Sequence, residues 1–321
     1  MMIGKISLLN ITLSIAVIVG VSDFAIPLSC LAQEPANNVA LGNERFTVTT
    51  DLITINVSVT DKNGLAVAGL RKGDFQILDN KKLQEIQFFS DADVPLSVAV
   101  VFDTSSSMNG EKIRRAKESL ARFIRTSKEQ DEFFLIEFNS HTQLLLDGSR
   151  DSEAVLQKLK YVQPKGETAL FDAVYLGMER DLRGVRSRKI ILVISDGEDN
   201  NSRFTLKEIK KRLKESDVIV YTIGFNGYFS SKSRLGGRDI LEELASTSGG
   251  RAFSPNGAVE TDEAFEQVAL EMRHLYSIGY YPTDFVANGK WHRLGVKVDF
   301  PTGSPRLSVR SRKGYYAVAN R

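Results

Sequence analysis

The chain has 321 residues, 42% hydrophobic and 26% charged, a globular balance with room for two domains that excludes wholesale disorder. Its 42 basic and 40 acidic residues leave a net charge of +2, too weak a field for a nucleic-acid binder. A single Cys excludes an internal disulfide and a Cys-based zinc site, and three His, none paired at i, i+4, leave no zinc-protease motif.

The chain opens on an export pattern. Lys5 is the only charge before an apolar run from Ile6 to Val21, and small residues precede Gln33. A basic start, an apolar middle and a small-residue cut predict a signal peptide over residues 1–32, cleaved after Ala32, and a polar linker over 33–45. The protein is then exported: periplasmic, on the cell surface or secreted, with no membrane span in the mature chain. Anchoring as a lipoprotein through Cys30 fits less well, because Pro27 stands where an aliphatic residue is wanted.

Residues 46–94 read as β. Ile53, Ile55, Val57 and Val59 alternate with polar residues, as in a half-buried strand. Asp61-Lys62-Asn63-Gly64 is a hairpin turn, and strands follow over 74–78 and 86–89 around a turn at Asp79-Asn80.

Residues 95–276 alternate between strand and helix. Val98 to Phe102 is a continuous apolar run ending in Asp103, as in a strand buried on both faces. Ile113, Ala116, Leu120, Phe123 and Ile124 have helical spacing. Further strands are expected over 133–136, 190–194 and 218–223, with helices over 169–182, around Leu206–Leu213, around Ile240–Leu244 and around Phe265–Met272. This order predicts an α/β fold with a doubly wound, mostly parallel sheet covered on both sides.

Residues 277–321 return to β, with strands near Tyr280, over 291–300, over 307–309 and over 315–318. Neither β segment buries enough apolar surface alone, so the two are expected to form one small all-β sandwich into which the α/β domain is inserted. Tyr280 and Tyr281 are expected to pack inside it.

Three oxygen-rich segments fall at predicted strand ends or helix starts: Asp103-Thr104-Ser105-Ser106-Ser107, Gly166-Glu167-Thr168 and Ser195-Asp196-Gly197. Ligands of open α/β sheets bind at the carboxyl ends of the strands. Two carboxylates with hydroxyls, and no His or Cys, make a hard all-oxygen set suited to Mg2+, with Mn2+ or Ca2+ as alternatives. Each segment also has a plainer reading. Ser105, Ser106, Ser107 and Thr168 could cap helices, and Asp196-Gly197 could be a turn. Glu167, Glu198 and Asp199 read as solvated acids, and Lys112, Arg114, Arg115 and Lys117 as the wet face of a helix.

The combination of Asp103-x-Ser105-x-Ser107, Thr168 and Asp196, in the contexts DTSSSM, GETALFDA and ILVISDGEDN, resembles the von Willebrand factor type A domain and its metal-ion-dependent adhesion site. The resemblance covers roughly residues 95–276. The flanks resemble a bacterial exported subgroup in which a split β-sandwich surrounds that domain. The resemblance implies metal ligation by those five residues and a protein partner that completes the metal with a Glu or Asp carboxylate. It implies binding rather than catalysis. The competing reading is a magnesium-dependent phosphoryl-transfer enzyme of haloacid-dehalogenase type, which requires a second acid where Ser105 stands. Tyr228 and Phe229, on a Gly/Ser-rich loop after a strand, are candidate partner contacts.

Overall fold

A computed structural model describes residues 52–181, 183–184, 186, 188–225, 236–283, 285–299 and 307–318. The first β segment contributes β1 (Ile53–Thr60), β2 (Phe75–Asp79), β3 (Lys82–Gln84) and β4 (Ile86–Ser90). The α/β segment runs β5 (Leu96–Asp103), α1 (Glu111–Arg125), β6 (Glu132–Phe138), β7 (Thr142–Ser149), α2 (Ser152–Tyr161), α3 (Leu170–Asp181) and β8 (Arg188–Ser195). It continues with α4 (Leu206–Glu215), β9 (Ile219–Gly224), α5 (Gly237–Ser248), β10 (Ala252–Phe253) and α6 (Ala258–Arg273). The chain then returns to β with β11 (Tyr276–Tyr280), β12 (Trp291–Val298), β13 (Ser308–Arg310) and β14 (Gly314–Tyr316).

The α/β unit is built on a six-stranded sheet of order β10-β9-β8-β5-β6-β7. All neighbours are parallel except β6 and β7. Successive side chains of β5 point to opposite faces. Val98, Val100 and Phe102 meet α1, α2 and α6 through residues such as Leu120, Val155 and Phe265. Ala99 and Val101 meet α3, α4 and α5 through Val174, Leu213 and Leu241. All eight residues of β5 are buried, and each fully buried large apolar side chain contributes about 1.5–3 kcal/mol. The two apolar layers therefore hold the sheet together without help from its rim, which is free to carry polar loops.

The flanking segments form two four-stranded sheets, β13-β1-β11-β4 and β14-β12-β2-β3. Both combine strands from before and after the α/β unit: β1 pairs antiparallel with β11, from Ile53↔Tyr280 to Val57↔Tyr276, and β2 with β12. Ile55, Val57, Ile77, Tyr276, Ile278 and Tyr280 lie in their shared core. The architecture is thus an α/β domain inserted in a β-sandwich. The two sheets are also tied by polar groups. Asp79 on β2 accepts hydrogen bonds from Tyr280 Oη at 2.9 Å and Tyr315 Oη at 2.8 Å.

Tyr281 departs from expectation. Tyr280 is buried, but Tyr281 is 51% exposed, because adjacent positions at a strand end face opposite sides. Strands β7 and β10 and helix α2 were also not anticipated. The α/β unit is entered and left at the amino-terminal edge of its sheet. There the buried Arg188, first residue of β8, donates to the carbonyls of Met272 at 3.0 Å and Leu275 at 2.9 Å.

Candidate metal centre

Strands β5 and β8 lie at the point where strand order reverses, since β6 flanks β5 on one side and β8 on the other. Their carboxyl ends are level, with Phe102 opposite Ile194. Asp103 and Asp196 therefore emerge side by side, Asp103 as the last residue of its strand and Asp196 just beyond Ser195.

Asp103 is fully buried and both its oxygens are occupied. Oδ1 accepts from the Ser105 backbone N–H at 2.8 Å, and Oδ2 from Ser195 Oγ at 2.5 Å. Burial pushes its carboxyl up to about 6, against these hydrogen bonds, which favour the ionised form; the neighbouring charge of Asp196 raises it further. Ser105 Oγ and Ser107 Oγ are 2.9 Å apart, so the two hydroxyls of the first loop share one side of it.

The other loops are stitched to this one. Ser106 N–H donates to the Gly166 carbonyl at 3.0 Å, and Lys165 N–H to that of Thr104 at 2.7 Å. Thr168 N–H donates to Asn200 Oδ1 at 2.8 Å, and Asn200 and Asn201 N–H groups return to the Thr168 carbonyl, each at 3.0 Å. The structure thus draws the loops of Asp103, Ser105, Ser107, Thr168 and Asp196 into one cross-bonded cluster at the sheet edge. Thr168 is 3% and Asp196 5% exposed.

The capping alternatives do not describe these residues. Helix α1 starts after Gly110, with no side-chain cap, so the serines do not cap it. The first turn of α3 is met instead by Asp199 and Ser202, whose Oδ2 and Oγ each accept from Phe171 N–H at 3.0 Å. Asp199 is consequently a half-buried helix cap rather than a solvated acid. Gly197 does turn the chain, at φ +81°, and a Cβ there would lie 2.1 Å from the Gly237 carbonyl oxygen.

The family model of the von Willebrand factor type A domain matches residues 97–268, more than half of the chain and all five of these residues. The chain belongs to that family. It thereby carries a domain of the adhesion and protein-interaction type. An uncharacterized protein of Synechocystis sp. is 23% identical over 192 residues, covering 58% of this chain and 43% of that protein. Inter-alpha-trypsin inhibitor heavy chain H4 of Sus scrofa is 23% identical over 208 residues, 58% of this chain and 21% of that one. The chain therefore spans less than half the length of these curated relatives. A solved von Willebrand factor type A structure from Catenulispora acidiphila shares the fold with a TM-score of 0.50 at 12% identity, covering 85% of this chain and 75% of that one.

The residues of this von Willebrand factor type A domain fit a divalent cation. Asp196 Oδ1 is buried and has no hydrogen-bond partner among the described residues, a costly state for a carboxylate oxygen unless a cation meets it. No group of three or more His, Cys, Asp and Glu side chains is placed to hold a metal among the described residues; Asp103 and Asp196 would offer two carboxylates, and Ser105, Ser107 and Thr168 neutral hydroxyls. That composition suits a hard ion.

Sequence reasoning missed two contributors. Ser195 fixes Asp103; its signal was a lone polar residue closing an apolar strand. Lys112 does not simply line a wet helix face. Its Nζ lies 3.2 Å from Asp196 Oδ2, with the side chain 31% exposed. Tyr228 and Phe229 lie outside the described residues.

Proposed function

We propose that the domain is an exported, metal-dependent protein-binding module. Asp103, Ser105, Ser107, Thr168 and Asp196 would hold Mg2+ or Mn2+, with Ca2+ as a third candidate, directly or through water. The observation that carries this reading is the unpartnered, buried Asp196 Oδ1 beside a buried Asp103 in a cross-bonded cluster of loops. A divalent ion there supplies positive charge and a coordination position open to a carboxylate oxygen. The partner is accordingly a protein that presents Glu or Asp. Export rests on the basic, apolar and small-residue pattern of residues 1–32. No helix of the described residues is long and apolar enough to cross a membrane.

The phosphoryl-transfer reading is weaker. Both oxygens of Asp103 accept hydrogen bonds, and the position two residues on is Ser105 rather than an acid. Titration calorimetry with Mg2+ and Mn2+ tests the site. Asp103→Ala and Asp196→Ala should abolish binding with the sheet intact, and Thr168→Ala should weaken it less, since water can replace one neutral ligand. Undiminished binding in Asp103→Ala would sink the assignment. A partner captured from envelope extract should be released by EDTA and recaptured with Mg2+.

A further inference from the structure

Lys112 stands in the first turn of α1, where a cation opposes the helix dipole rather than complementing it. Helix stability therefore does not account for its position. The acid of the same turn, Glu111, pairs with Arg114 at 2.5 Å and Arg115 at 2.8 Å. Lys112 instead reaches across 84 residues of sequence to Asp196 Oδ2. The Asp196 carboxylate is thus divided: Oδ2 faces a fixed ammonium, and buried Oδ1 has no hydrogen-bond partner among the described residues. Asp103, by contrast, is bonded among the described residues to neutral donors, the Ser105 N–H and the Ser195 hydroxyl.

We propose that Lys112 sets the sign of the site's charge, opposing the divalent cation and favouring the anion that follows it. The inference rests on the metal-binding reading above. Asp103, Asp196 and Lys112 together carry a net charge of −1 when no ion is bound and +1 once a divalent ion is held. Without Lys112 the same two states carry −2 and 0. The ammonium therefore makes the ion bind less tightly and makes the loaded site attract a carboxylate, which a neutral site would not. One residue acts in opposite directions on two successive binding events. A residue that merely supported the loop would weaken both.

The test uses Mn2+ and acetate on the full chain and its variants. Free Mn2+ is followed by its electron paramagnetic resonance signal. Acetate entry to the loaded site is followed by the loss of water-proton relaxation as Mn2+-bound water is displaced. Lys112→Gln should bind Mn2+ about tenfold more tightly and acetate about tenfold more weakly than the natural chain, and Lys112→Arg, which keeps the charge, should follow the natural chain in both. Lys112→Gln that matches the natural chain in either measurement overturns the inference. So does a loss of both affinities, which would mark Lys112 as a structural support. Asp196→Asn separates this from the parent reading. If Mn2+ binds the natural chain but not Asp196→Asn, the metal site stands and only the Lys112 arms decide. If Mn2+ binds Asp196→Asn as tightly as the natural chain, the metal site itself falls, and the inference with it.

Discussion

Ser58 on the first strand of the sandwich donates its hydroxyl to Glu271 Oε1 on the last helix of the α/β unit, at 2.8 Å and across 213 residues of sequence. Glu271 is 1% exposed and also pairs with Arg310 and, at 3.5 Å, with Arg251. Arg310 lies on β13, and Arg251 donates to the Gly64 carbonyl at 3.0 Å. One carboxylate therefore gathers groups from both parts of the chain.

Glu271→Gln should destabilise the protein by about 2–3 kcal/mol, less than a wholly buried pair would lose, because both arginines keep some solvent access. Urea unfolding followed by circular dichroism measures this. A stability equal to that of the natural chain would show that the carboxylate's charge is not needed at the junction.

The ion-free site should be acid-stabilised. The Asp103 carboxyl is raised by burial from 3.8 to about 6, so the native state keeps a proton that the unfolded chain has lost. Stability should therefore fall as pH rises from about 4 to about 6 in EDTA, by about 3 kcal/mol, and level off above that window. Saturating Mg2+ should remove or reverse the slope, because the ion selects the ionised carboxylate. Asp103→Asn should abolish the slope in EDTA. Unfolding midpoints across this range, with and without Mg2+, check the sign.

Gly197→Ala should lower stability by about 2–3 kcal/mol, since it combines a left-handed backbone with overpacking. The clash is with backbone, the Gly237 carbonyl, which no rotamer change relieves. Metal affinity should fall with it, because Asp196 is the preceding residue. Thermal unfolding and Mn2+ titration of the same variant read the two effects.

A chain ending at Tyr276 should aggregate. It loses β12 from β2 and most of β11 from both β1 and β4, leaving open edges at Ile53 and Ile55. Size-exclusion chromatography with hydrogen exchange decides the matter. A monomer with β1 amides still protected would show that the first β segment folds alone.

The parts of the fold legible in sequence are those buried on two faces. Val98 to Phe102 and Ile190 to Ile194 are apolar without interruption because helices cover the sheet on both sides. Strand β7 escaped because it is a half-exposed antiparallel edge whose pairing with β6 shifts register twice. Strand β10 has two residues, too few for any period. Ser58 stands among the polar residues of an alternating strand, yet it is buried against Glu271 of α6, and only tertiary packing reveals this. The clustering of these acids and hydroxyls was legible because two polar segments close the apolar strands β5 and β8 and a third precedes helix α3. Lys112 was not, because a lysine spaced among arginines on a helix has the same signature whether it faces water or reaches a carboxylate.

The placement of Asp103 at one end of β5, with the sandwich joined at the other, has a mechanical consequence. A partner pulling on the rim would draw β5 along its own axis against β6 and β8, its parallel neighbours on either side. Under that direction of pull the ladder hydrogen bonds are sheared together instead of being peeled one at a time. Tension entering at the loops of Asp103 and Asp196 would thus be shared across the middle of the sheet before it reached β4 and the sandwich, as in a tether whose fibres run along the rope.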